Sequence, residues 1–98
     1  MKGRFALAPR AQTDLDDIWN YTAARWGIDQ AETYIRQLWR DIATVADRPS
    51  LGRECSEVRP GYFRYPSGSH ILFYRSAADG IDIVRILHQR MDYEQHIP

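Results

Sequence analysis

Lysine is almost missing from this chain. Thirteen basic residues balance thirteen acids, and all but Lys2 of the former are arginine. The zero net charge removes overall charge as a reason to expect a nucleic-acid or membrane partner, so any such case rests on local patches. Cys55 is the single cysteine, which excludes an intramolecular disulfide and makes a reducing cytoplasm the simplest setting. No apolar run approaches the roughly 20 residues of a membrane span, and residues 1–15 lack the apolar core of a secretory signal. His70, His88 and His96 show neither H-x-x-x-H nor H-E-x-x-H spacing, so zinc is not expected. A nucleophile elbow, a phosphate-cradling glycine loop and a dinucleotide fingerprint are missing too, and no cofactor is implied. Internal repeats and low-complexity segments do not occur.

What is present suffices for one domain over residues 1–98. A chain of this size buries roughly 60–68% of its unfolded surface, enough for a core without staples. Arg4 to Ala8 alternates weakly and reads as a short strand with Phe5 and Leu7 inward, ended by Pro9. Proline then suits the first turn of a helix over 10–26, where Leu15, Ile18, Trp19, Thr22 and Trp26 fall on one stripe. Asp14, Asp16 and Asp17 read as solvated acids near the helix start rather than as metal ligands. Gly27 is placed as a left-handed cap and Asp29 as the N-cap of a second helix over 30–47. Its stripe is Ala31, Tyr34, Ile35, Leu38, Ile42 and Val45, with Trp39 at the edge and Pro49 as the stop. The short connection predicts an antiparallel helical hairpin.

Residues 50–57 read as a polar connection containing Arg53 and Cys55. Three strands follow, punctuated by Pro60-Gly61, Ser67-Gly68 and Asp79-Gly80. The first begins at Val58. The second, 69–75, is apolar on both faces and therefore central, with Ile71 and Phe73 opposite Leu72 and Tyr74. In the third, 81–88, strict alternation sets Val84 and Ile86 against Ile83 and Leu87. The expected order is β-α-α-β-β-β, an α+β fold with the hairpin packed across one face of an antiparallel meander. Arginines interleave with aromatics along the meander, which suits recognition of carboxylate or phosphate as well as plain surface decoration. His70 and His88 can meet across adjacent strands, as a structural pair or as part of a site.

Four segments lie in register with a known family: LAPRAQTDLDDIWNYTAARWG (7–27), VRPGY (58–62), GSHILFYR (68–75) and ILHQRMD (86–92). Together, over nearly the whole chain, they resemble the ParE toxins of bacterial type II toxin–antitoxin systems. The resemblance implies a ParE/RelE-like fold and a cytoplasmic, non-enzymatic toxin that stabilises the cleaved-DNA complex of DNA gyrase. It also implies a ParD-like antitoxin partner, which alone contacts promoter DNA, and a role in plasmid stabilisation. Candidate target contacts are Arg59, Arg64, Arg75, Arg85, His88 and Arg90. Trp26, Tyr34, Trp39 and Tyr62 are candidate antitoxin contacts, with Trp19 assigned to the core. The RelE branch offers an alternative, ribosome-dependent cleavage of messenger RNA. Only Arg64, Arg85, His88 and Tyr93 are available for it here, without the lysines that branch uses.

Overall fold

The computed structural model describes residues 3–91 and 95–97. Expectations resting on Lys2, Asp92 and Tyr93 lie outside that range. In chain order the elements are β1 (Arg4–Leu7), α1 (Pro9–Trp26), α2 (Ile28–Asp47), a short 3-10 turn (Pro49–Leu51), β2 (Arg53–Glu54), β3 (Tyr62–Ser67), β4 (His70–Ala77) and β5 (Gly80–His88). The two helices pack on a five-stranded mixed sheet of order β1-β5-β4-β3-β2. Only β1 runs parallel to its neighbour, β5; the remaining pairs are antiparallel.

The helical hairpin forms as the periodicity predicts, with one revision at its tip. Pro9 stands at the start of α1, where its missing N–H leaves no bond unmade. Gly27 is the sole residue between the helices: its N–H closes α1 on the Ala23 carbonyl, and its carbonyl accepts the Ala31 N–H of α2. Its φ of 96° and ψ of 163° lie outside the left-handed helical well, in a region open essentially to glycine. Asp29 is therefore not a cap. It lies inside the first turn of α2, where its charge complements the helix dipole.

Ala11, Leu15 and Ile18 of α1 and Leu38, Ile42 and Val45 of α2 meet Leu72, Tyr74, Ile81, Ile83 and Ile86 of the sheet. Fully burying each larger apolar side chain contributes about 1.5–3 kcal/mol, so this layer holds the hairpin on the sheet. Trp19 is half-buried and Trp26 exposed, so the apolar stripe of α1 leaves the core at its C-terminal end. A second cluster covers the other sheet face, where Phe73, Val84 and Leu87 pack with Cys55 and Val58 of the loop before β3 and with Ile97 of the tail.

Three strand expectations need correction. Val58 does not begin a strand: residues 55–61 form turns against the second cluster, and β3 starts at Tyr62. Arg53–Glu54, read as connection, adds an edge strand against Arg64 and Phe63. Alternation in β5 breaks at a bulge, where Tyr74 pairs with Ile83 but Phe73 pairs with Arg85, leaving Val84 as the extra residue. Ile83 and Ile86 consequently share the helix-facing core, while Val84 and Leu87 share the other cluster. Gly80 opens β5 for a different reason from turn chemistry: a Cβ there would sit 1.6 Å from the Arg4 carbonyl oxygen, so glycine lets β1 approach.

Candidate functional site

Residues directly paired across strands point to the same sheet face. The registers Arg53↔Arg64, Arg64↔Phe73 and Phe73↔Arg85 therefore set three arginines in one row across β2, β3, β4 and β5, on the face away from the helices. Arg75, paired with Tyr62 on one side and Asp82 on the other, belongs to the neighbouring row of that face. Arg53 and Arg64 line a groove of about 380 Å³ with Leu51, Tyr65, Pro66 and Ile71. Arg53 and Arg64 are direct register partners across the β2–β3 pair. Sequence reading left Arg53 as a loop residue because the short β2 carries no periodic signal.

Arg85 does not belong to the accessible set. Only 6% of it is exposed. Its Nε and Nη2 donate to the two Asp14 carboxylate oxygens at 2.8 and 2.9 Å, and its Nη1 donates to the His96 carbonyl at 2.9 Å. Asp14 also accepts the Ile86 N–H at 2.9 Å, completing an edge of β5 that lies beyond the end of β1. Hydrogen bonding to Asp14 raises the Arg85 pKa against the opposing effect of burial. Asp14, read from the sequence as a solvated acid, is instead largely buried against Arg85. The two residues are the clamp that joins α1, β5 and the tail.

The other candidates spread over several surfaces. Arg59 is exposed and donates to the Val58 carbonyl and, at 3.5 Å, to the Ile97 carbonyl. Arg75 is exposed beside Asp82 at 3.5 Å. Arg90 is exposed just beyond β5, its N–H bonded to His88 Nδ1 at 3.1 Å. Tyr62 packs against the second cluster, on the sheet face opposite Tyr34. Trp39 is 36% exposed and packs on the partly exposed ring of Phe5, with centroids 5.8 Å apart.

His70 and His88 do meet. They are register partners on the helix-facing side of the sheet, with ring centroids 5.4 Å apart and nearly perpendicular planes. The Tyr34 hydroxyl of α2 lies 2.6 Å from His70 Nδ1 and accepts the Ser69 N–H at 2.9 Å. Either partner can donate in the Tyr34–His70 contact, the direction following from the histidine tautomer. Burial, reinforced by His88 and opposed by Asp14, lowers the His70 pKa to about 4. Burial also raises the Tyr34 pKa. The two histidines thus lie across the sheet from the Arg53–Arg64 groove. Arg64, Arg85 and His88, the described residues available for RNA cleavage, are not brought to one site. Tyr93 lies outside the described residues. Among the described residues no group of three or more histidine, cysteine, aspartate or glutamate side chains is placed to hold a metal ion.

Residues 5–93 match the model of the ParE toxin of the type II toxin–antitoxin system parDE. The chain belongs to the ParE toxin family. It is 50% identical over 98 residues to Toxin ParE1 of Mycobacterium tuberculosis, covering 99% of this chain and 100% of that one. Identity to Toxin ParE1 of Caulobacter vibrioides is 43% over 93 residues, covering 95% and 96%. Among solved structures, the chromosomal ParDE system of P. aeruginosa superposes with a TM-score of 0.76 at 17% identity, over 89% of this chain and 96% of that one. The YoeB–YefM complex of Staphylococcus aureus follows at 0.59 and 14% identity, over 91% and 99%. At such identities the structural likeness speaks for the fold alone. As a ParE-family toxin, the chain is one component of a type II toxin–antitoxin pair, and no helix among its described residues is long and apolar enough to cross a membrane.

Proposed function

We propose that this ParE-family toxin inhibits DNA gyrase in the cytoplasm by stabilising its cleaved-DNA complex, without being an enzyme, and that a ParD-like antitoxin neutralises it. Family membership over residues 5–93 is the observation that carries this reading. The site geometry supports the non-enzymatic part. Arginine stays protonated at working pH and cannot serve as a general base, and the histidines sit on the far side of the sheet from the Arg53–Arg64 groove. What that groove offers is recognition, through planar donors suited to carboxylate or phosphate.

The target surface in this reading comprises Arg64, Arg75, Arg59 and Arg90, with Arg53 joining them and Arg85 acting from within as a support. A binder shifts the cleavage–religation balance of gyrase only by preferring one state of it over another. The antitoxin covers aromatic residues on the helical side, the exposed Trp26 and Trp39 and the half-buried Tyr34. Tyr62, on the opposite sheet face, is reached only by a segment that wraps an edge. Promoter DNA is contacted through the antitoxin. The similar solved structures are toxin–antitoxin systems, which fits such a partner. Incubation of purified toxin with gyrase and supercoiled plasmid tests the proposal: cleaved plasmid accumulates with toxin alone and not with toxin plus antitoxin.

A further inference from the structure

The tip of the helical hairpin overhangs the end of the sheet and leaves a cleft of about 600 Å³. Its aromatic walls are Tyr21, Trp26 and Tyr34, and its polar lining includes Arg25, Gln30 and His88. No carboxylate belongs to the lining among the described residues. Every polar group there is a donor or an amphoteric hydroxyl, amide or imidazole, so the cleft complements an anion. The Arg25 guanidinium carbon stands 5.4 Å from the centre of the Trp26 ring, which orients the cation over the indole.

The same tip is unusually apolar for solvent. Tyr21, Trp26 and Ile28 are 65%, 64% and 65% exposed, although each is large and hydrophobic. Large exposed apolar side chains beside a cation mark a protein interface. The tip does not suit a nucleic acid, whose binding needs a track of basic groups along the backbone. Permanent apolar exposure also favours a resident partner over a transient target, since long-lived interfaces are the more hydrophobic ones.

We infer that this cleft receives an antitoxin segment in which a carboxylate stands beside an apolar side chain. The carboxylate meets Arg25, and the apolar group lies against Trp26 and Tyr34. This rests on the toxin–antitoxin reading above and deepens it, assigning Arg25 and Tyr21 to the antitoxin surface and moving His88 there from the target surface. The Tyr34–His70 hydrogen bond holds the cleft floor, tying α2 to the end of β4 before any partner arrives.

The test uses the full-length toxin and its cognate antitoxin, with affinity measured by competition calorimetry for wild type, Trp26→Ala and Arg25→Glu. Both side chains are exposed, so both variants should fold and melt close to wild type. Trp26→Ala should weaken antitoxin binding by about 30-fold or more, the loss typical of an aromatic anchor. Arg25→Glu should weaken it by about tenfold or more, with affinity recovered when one antitoxin carboxylate is changed to lysine. Wild-type affinity in both variants would overturn the cleft assignment and leave the toxin–antitoxin reading standing. Loss of gyrase inhibition with antitoxin affinity intact would also overturn it, giving the cleft to the target. Failure of wild-type toxin to bind any antitoxin would instead sink the underlying reading.

Discussion

Removing the Asp14 carboxylate should destabilise this protein more than any surface charge change. The Asp14 and Arg85 side chains are only 11% and 7% exposed, and the carboxylate accepts two bonds from the guanidinium and one from the Ile86 N–H. Asp14→Ala leaves a buried cation without its counter-charge and a β5 amide without an acceptor. Breaking a buried pair from one side costs about 3–5 kcal/mol. For a domain of this length, each kcal/mol lowers the melting temperature by about 4–8 °C, so a drop of about 12 °C or more is expected. Asp14→Asn should fall between, because its amide oxygen can still serve the Ile86 N–H but not the whole guanidinium. The decisive arm is the double variant Asp14→Ala/Arg85→Met, which removes the stranded charge. It should be more stable than Asp14→Ala alone, giving a coupling energy of about 1–3 kcal/mol in a double-mutant cycle from urea unfolding. Strictly additive effects, or a loss below about 1 kcal/mol for Asp14→Ala, would refute the clamp.

Acid should loosen the hairpin–sheet junction before global acid unfolding. His70 is held neutral down to about pH 4, whereas the unfolded chain takes up this proton near 6.5. The unfolded state therefore binds more protons in that window, and stability present above pH 6.5 is lost as pH falls towards 4. The shift sets an upper bound of about 3 kcal/mol, which solvent screening at a half-buried ring reduces to about 1–2. In His70→Gln, urea midpoints between pH 4 and 6.5 should show a flatter slope than wild type; an unchanged slope would contradict the assignment. Gly27→Ala forces a side chain into a glycine-only conformation and should lower stability by about 1–3 kcal/mol by thermal unfolding, despite open space around the site. Charge reversal at both Arg53 and Arg64 should abolish gyrase inhibition while leaving antitoxin affinity near wild type.

The helical hairpin and the β3–β4–β5 meander were legible because their signals are local. Stripes with helical spacing, an isolated glycine and two short turns each act within a few residues of sequence. Long-range pairings were not legible. Nothing near Arg4–Leu7 says that it lies parallel to β5, and the reason Gly80 is glycine appears only when β1 is beside it. The Asp14–Arg85 clamp joins residues 71 apart, so each side chain alone resembled an ordinary surface charge. The bulge at Val84 then inverted the face assignment of Ile86 and Leu87, because a single extra residue shifts a period of two. The grouping of the candidate residues was not legible from the sequence. Arg64 and Arg75 share a face, whereas His88 joins Trp26 and Tyr34 on the other.

The claim that matters most is recognition without catalysis. Gyrase, supercoiled plasmid and purified toxin, quenched with detergent and protease, give the direct measurement. Linear plasmid should rise with toxin concentration, disappear when equimolar antitoxin is added first, and require gyrase in the mixture. Unaltered plasmid supercoiling with excess folded toxin, or cleavage of ribosome-bound message in its place, would contradict it.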